Sequence, residues 1–288
     1  MSKEIKKARI EEGMSFEDYR KEDAISQSAL KNLDRCPAYF EYRKNNPMET
    51  PAMRFGRMMH AYILEPEEFE KEYFVIKNTP DGKKVRRGTK AWKEYEDFAP
   101  NREIIFEDDL EKLRGIKDRL MLYRHMPVLL EESTKELSIF WTDEETGLDC
   151  KARIDAYWPE KNIVFDLKTT VNCETFYEHN KSWCPFFKYG YHIQAAFYMD
   201  AIERAFGTMP KTFRIFASEK TAPYLMKNYD VEGDGELVEK SRIEYKNLLK
   251  KYKACLDNND FSAGFENDCV TTEPYFMYQP LQEEESYE

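Results

Sequence analysis

The chain has 288 residues, a net charge of −11 and 15% aromatic side chains, enough for one large folded core or a core with a helical attachment. That charge excludes a protein that coats nucleic acid by bulk electrostatics, yet leaves room for an enzyme that grips DNA locally. No apolar run is long enough to cross a bilayer and the N-terminus MSKEIKKARIEEG lacks the apolar segment of a signal peptide, so a cytoplasmic protein with no membrane partner is expected.

Residues 1 to 24 read as an N-terminal extension, and residues 15 to 46 as short helices in which Ser26 caps ISQSALKNLD and Pro37 opens PAYFEYRKN. A helix over about 52 to 64 ends before Pro66. The short strand YFVI follows, then a loop at residues 77 to 90 carrying Lys83, Lys84, Arg86, Arg87 and Lys90, then a helix through Trp92 and Tyr95. From Asp108 a helix with Leu110, Leu113, Ile116, Leu120 and Met121 on one face runs to the neighbourhood of His125. Three strand-like runs, KELSIFWTD, LDCKARIDAYW and NIVFDLKTT, are joined by turns at Glu145-Thr146-Gly147 and at residues 159 to 162. They predict an antiparallel meander. A long helix over roughly 187 to 206 is closed by Gly207; strands in KTFRIFASE and PYLMKNYDV and an amphipathic helix from Asp234 complete the chain. The pattern predicts an α/β fold with a mixed, partly antiparallel central sheet flanked by helices. It is read as one domain over 25–280, with a helical part at 25–132, a core at 133–220 and a C-terminal strand and helix at 221–280. The acidic tail at 281–288 is expected to be disordered.

Six cysteines occur with no C-x-x-C pair, which suggests neither a zinc site nor a disulfide framework. Cys255 and Cys269 do not supply the tight C-terminal trio of an iron–sulfur nuclease, so no cluster is expected.

The stretch RIDAYWPEKNIVFDLKTT places Asp166 and Lys168 two residues apart on one strand and Asp155 across the preceding turn. Alternation puts Val164, Asp166 and Lys168 on one face, with Ile163, Phe165 and Leu167 on the other. Such a triplet is either a solvated strand face or the start of a site. Phosphodiester hydrolysis needs an activated water, relief of transition-state charge and help for the leaving oxygen, all within reach of carboxylate-bound magnesium. Asp155, Asp166 and the Leu167 carbonyl can supply ligands, and Lys168 can orient the water and stabilise negative charge. Gly56 and His60 lie four apart on an early helix, as do Gln194 and Tyr198 on the long one. His60 is then either a structural histidine or one that reaches the metal or a phosphate.

Taken in order, G-x-x-x-H, then D, then D-x-K, then Q-x-x-x-Y resembles the signature of the RecB-like branch of the PD-(D/E)xK nucleases. ISQSALKNLDRCPAYFEYR, TPAMRFGRMMHAYILEPEEFEKEY, CKARIDAYW and FDLKTT resemble the exonuclease VIII (RecE) nuclease domain family of phage recombination systems, over roughly residues 24 to 220. The resemblance implies a magnesium-dependent exonuclease, with manganese able to substitute, that resects linear double-stranded DNA 5′ to 3′. It also implies a ring-like homo-oligomer that works with a single-strand annealing protein in the cytoplasm of a bacterial host. His60, Asp155 and Asp166 become metal ligands, Lys168 the catalytic lysine, and Gln194 and Tyr198 groups that hold the water or scissile phosphate. Two other readings share the motifs or the fold: a structure-specific endonuclease or repair-complex nuclease subunit, and a catalytically silent DNA-binding relative. The presence of Asp155, Asp166 and Lys168 together speaks against the silent relative.

Lesser candidates surround these. Lys151 and Arg153 either reach backbone phosphates or pair with nearby acids, and Glu136 is an extra metal ligand or an acid supporting one. Lys83, Lys84, Arg86 and Arg87 form the best basic patch for duplex DNA. The aromatics of WCPFFKYGYH either stack on a frayed base or belong to the core.

Overall fold

The computed structural model describes residues 8–77, 85–178 and 181–262; Lys83, Lys84 and the acidic tail lie outside the described residues. A strand β1 (Arg9–Glu11) precedes α1 (Phe16–Lys21), which Ser15 caps by accepting from the Asp18 N–H. Side chains cap the next three helices: Ser26 on α2 (Gln27–Arg35), Cys36 on α3 (Pro37–Asn45) and Thr50 on α4 (Pro51–Leu64). Helix α4 ends before Pro66, as the sequence predicts, but that proline opens a further helix. Its missing N–H is harmless in a first turn, and it starts α5 (Pro66–Glu72).

Next come β2 (Tyr73–Ile76), α6 (Lys90–Phe98), β3 (Glu103–Phe106), α7 (Glu107–Met121) and α8 (Met126–Glu132). The predicted meander follows as β4 (Thr134–Thr142), β5 (Asp149–Trp158) and β6 (Ile163–Thr170). After it, α9 (Pro185–Lys188) and α10 (Tyr191–Phe206) cross over to β7 (Thr212–Glu219), before β8 (Met226–Glu232) and α11 (Glu236–Asn258).

The main sheet has the order β1-β4-β5-β6-β7-β8. Every pairing is antiparallel except β6 with β7, which the helical crossover makes parallel. One face packs Leu137, Ile139, Ile154, Val164 and Ile215 against α2, α3, α10 and α11. The other packs Ala156, Trp158, Phe165, Leu167 and Phe216 against α4, α5, α7 and α8. This is the mixed sheet flanked by helices that the sequence predicts.

Four details differ from the sequence reading. β1 and β3 are three and four residues long, too short for periodicity to reveal them. β3 pairs in parallel with β2 in a sheet of its own. The helix after Asp108 stops at Met121, and α8 is separate. The long helix begins at Tyr191 because Gly190, at φ 69°, takes a left-handed turn between it and α9.

Candidate metal centre

The hairpin of β5 and β6 is paired only at its closed end, through Ala156–Phe165, Tyr157–Val164 and Trp158–Ile163. The next opposed residues are Asp155 and Asp166. Here the ladder stops, and the Leu167 N–H donates instead to Asp155 Oδ2 at 2.7 Å. Beyond this point β5 continues against β4, and β6 against β7, so the sheet opens into a split.

On the other side of β5, the register flanks Glu136 by Lys135–Ala156 and Leu137–Ile154, which brings it opposite Asp155. Glu136 has φ 48°, a left-handed conformation uncommon for a residue with a side chain. Strand β5 changes sides here as well: Ile154 packs in the α10 core, and Ala156 in the α4 core. Residues two apart normally share a face. The break in alternation turns the Glu136 and Asp155 carboxylates into the split.

His60 reaches in from α4. Its Nε2–H donates to the Leu167 carbonyl at 3.0 Å, and its Nδ1 lies 3.4 Å from Asp155 Oδ1 and 3.7 Å from Glu136 Oε1. Burial alone would lower the His60 pKa, but the Asp155 and Glu136 carboxylates push it up to about 9. Protonated His60 therefore fills the centre of the acid group as its cation. Burial pushes Asp155 up to about 7, with Asp166 and Glu136 adding repulsion and His60 opposing it. For Glu136, burial would raise the pKa, but His60 and Arg153 hold it below the ordinary range.

Asp166 is almost fully buried. Its Oδ1 accepts from Gln194 Nε2 at 2.9 Å and its Oδ2 lies 2.5 Å from Lys168 Nζ. Burial would lower the Lys168 pKa, but Asp166 and then Asp155 keep it above its usual value, so the ammonium is charged. Tyr198, one turn beyond Gln194, is partly buried and lies close to Asp155 and Asp166, and desolvation drives its phenol well above the ordinary pKa.

The structure thus gathers His60, Glu136, Asp155, Asp166, Lys168, the Leu167 carbonyl, Gln194 and Tyr198 around one opening. Ligand atoms of His60, Glu136 and Asp155 lie within 4.8 Å of one another. Glu136 Oε1 is buried with no hydrogen-bond partner among the described residues, an expensive arrangement unless a cation completes it. The 3.0 Å between His60 Nε2 and the Leu167 carbonyl oxygen matches adjacent ligands around an ion with bonds of about 2.1 Å. Oxygen donors with one imidazole fit a divalent cation such as magnesium or manganese.

Two basic side chains of β5 turn inward. Arg153 is buried: its Nε donates to Glu136 Oε2 at 2.6 Å and one terminal nitrogen to the Met14 carbonyl at 2.6 Å. It turns inward because Glu136 is its register neighbour's neighbour on β4, and there it fixes that carboxylate rather than reaching DNA. The Lys151 ammonium donates to the Tyr19 and Glu22 carbonyls and so caps the end of α1. Arg86 and Arg87 are exposed, Arg87 lying over the Trp92 ring at 5.5 Å. Two further groups border the split. Tyr191, three residues before Gln194 on the same helix face, lies 5.3 Å from Lys168 Nζ. Glu65, at the end of α4, is pushed up to about 7 by burial and by Glu136.

Residues 26–269 match a family described as PDDEXK-like domain of unknown function (DUF3799). The chain belongs to this family. The fold is similar to the crystal structure of a provisionally named exonuclease from Eubacterium rectale. The TM-score is 0.60 at 14% identity, covering 92% of this chain and 97% of that one. A phage-related exonuclease from Haemophilus somnus 129PT overlaps more loosely, with a TM-score of 0.34 and 13% identity over 60% of this chain and 85% of that one. No curated protein matches the chain. Among the described residues no helix is long and apolar enough to cross a membrane.

Proposed function

We propose that the protein is a divalent-metal-dependent DNA nuclease, and within that class an exonuclease that resects linear duplex DNA from its 5′ ends. The observation that carries the reading is the split between β5 and β6, where buried carboxylates with an unpartnered oxygen face a charged lysine. His60, Asp155, Asp166 and the Leu167 carbonyl would hold the metal, with Glu136 supporting or joining them. A bound magnesium ion supplies a water of lowered pKa and relief of charge on the reacting phosphate.

The protein's own groups do the rest. Gln194 holds one oxygen of Asp166 and leaves the other to Lys168. Lys168 presents an ammonium, kept charged by Asp166 and Asp155, to the place where negative charge develops. Arg153 fixes Glu136 from behind. Tyr198 carries a phenol that stays protonated near Asp155 and Asp166 and can donate to a phosphate oxygen or water. Arg86 and Arg87, with Lys83 and Lys84 beside them in sequence, are the proposed duplex contacts.

An endonuclease would share the motifs; the exonuclease is preferred on the resemblance to the exonuclease VIII family, and the name of the Eubacterium rectale protein points the same way. The same signature suggests work in phage-type recombination, as a ring of copies beside an annealing protein in the bacterial cytoplasm. Incubation with linear and closed-circular duplex DNA, with magnesium or with EDTA, tests it. Magnesium-dependent loss of the linear form alone is expected. Nicking of the circle would mean an endonuclease, and no cleavage of either form would overturn the reading.

A further inference from the structure

The segment WCPFFKYGYH ends beside the split in an exposed ring. The Tyr191 ring lies 5.3 Å from the Lys168 ammonium, and the Tyr189 ring lies 6.0 Å beyond it. Phe186 is buried, yet Tyr189 is 46% exposed. Two ammonium groups converge on it: Lys31 from α2 at 5.0 Å and Lys188 from α9 at 5.8 Å. Among the described residues neither ammonium reaches a carboxylate.

The ring is also held in place. The Tyr189 N–H donates to the Pro185 carbonyl at 3.0 Å, and the buried Gln27 side chain donates to the Gly190 carbonyl at 3.0 Å. A side chain at Gly190 would meet that Gln27 amide at 3.3 Å and strain a left-handed backbone. A ligand stacking on Tyr189 therefore orders little that is not already ordered.

On a protein of net charge −11, an exposed ring with two unpaired cations is complementary to a flat base on an anionic backbone. A water-exposed core aromatic would need neither lysine. We propose that Tyr189, flanked by Lys31 and Lys188, is a stacking platform for an unpaired nucleobase next to the phosphate at Lys168. The proposal rests on the nuclease reading, which makes Lys168 the marker of the scissile phosphate. It deepens that reading in one respect: a base must leave its partner to stack, so ends that are frayed or carry a short single strand are favoured over blunt ones.

The probe is an octathymidylate ending in 2-aminopurine, mixed with the full chain in EDTA so that nothing is cut. Stacking on Tyr189 quenches its fluorescence. Tyr189→Ala should lose the quench and bind about tenfold or more weaker, whereas Tyr189→Trp keeps both. Lys31→Gln with Lys188→Gln should flatten the salt dependence by about 0.7 per lost phosphate contact. In digestion, Tyr189→Ala should raise KM for single-stranded ends and erase their advantage over blunt ends. Unaltered melting shows that each variant is folded. Failure of the wild type to bind, or equal binding and quench in Tyr189→Ala, overturns the platform. So does a change in sedimentation without a change in oligonucleotide binding, which would make this face a contact between copies. Wild-type digestion that Tyr189→Ala matches in full leaves the nuclease standing without the platform. Binding through Tyr189 with no cleavage of any DNA leaves the platform and removes the nuclease.

Discussion

Asp200 on α10 and Asp155 on β5 are equally buried, each 6% exposed, but their surroundings are opposite. Asp200 accepts two hydrogen bonds from Arg242 Nε, one from Arg242 Nη2 and one from Tyr245 Oη. Its charge is matched by a fixed guanidinium, and it ties α10 to α11. Asp155 shares its pocket with Glu136 and Asp166, and its nearest cation is a histidine that is charged only because the acids make it so. Asp200 is a finished ion pair, whereas the three acids around Asp155 share one histidine and one lysine, and Glu136 Oε1 keeps no hydrogen-bond partner among the described residues. Burial alone does not distinguish a structural acid from a ligand; what occupies its lone pairs does.

The largest expected effect concerns activity. Asp166→Asn and Lys168→Ala should each reduce linear-duplex digestion by on the order of a hundredfold or more. Calorimetry with manganese separates them: Asp166→Asn weakens metal binding, while Lys168→Ala holds or improves it, because an ammonium repels the cation. Wild-type digestion by Lys168→Ala would return the triplet to a solvated strand face.

Stability sharpens the contrast. Asp200→Asn breaks a partly buried ion pair and leaves Arg242 with Glu239 alone, and should cost about 1–3 kcal/mol in denaturant unfolding. Asp155→Asn removes repulsion from the metal-free protein, so its melting temperature should hold or rise. A loss of stability in Asp155→Asn comparable to that in Asp200→Asn would mean that both acids are structural.

The pH dependence follows from the same imbalance. His60 and Asp155 both have folded pKa values raised above their unfolded ones, to about 9 and about 7. Their contribution to the metal-free fold is therefore present at low pH and is lost as pH rises through 7 and then 9. A metal must displace those protons, so manganese affinity should climb up to about tenfold per pH unit for each proton released and level off above about 9. Affinity flat between pH 6 and 9 would remove His60 from the ligand set.

The smallest effect lies on the surface. Arg86→Ala with Arg87→Ala should lower the salt slope of duplex binding by about 0.9 per lost phosphate contact, with folding unchanged. An unaltered slope would take this loop off the DNA.

Much of this site could be read from the chain. The turn at residues 159 to 162 fixes the hairpin register and so brings Asp155 opposite Asp166, and helical spacing puts Gln194 and Tyr198 on one face. The split itself was hidden, because it depends on the Leu167 N–H leaving the ladder for a side chain. Glu136 could be only a lesser candidate: its place opposite Asp155 depends on the register set by the turn around Gly147, and on a left-handed backbone that no pattern announces. Arg153 and Lys151 read as surface charges since their partners, Glu136 and the end of α1, are distant in sequence. Tyr191 was legible as Y-x-x-Q on the same helix face, but its value appears only once Lys168 is known to lie beside it.

Anomalous diffraction from a crystal soaked in manganese shows whether the acids at the split take up a cation. One strong peak is expected there, bound by Asp155, Asp166, the Leu167 carbonyl and His60, with His60 no longer donating to that carbonyl. A peak elsewhere, or none while His60 still bridges Leu167 and Asp155, would contradict it.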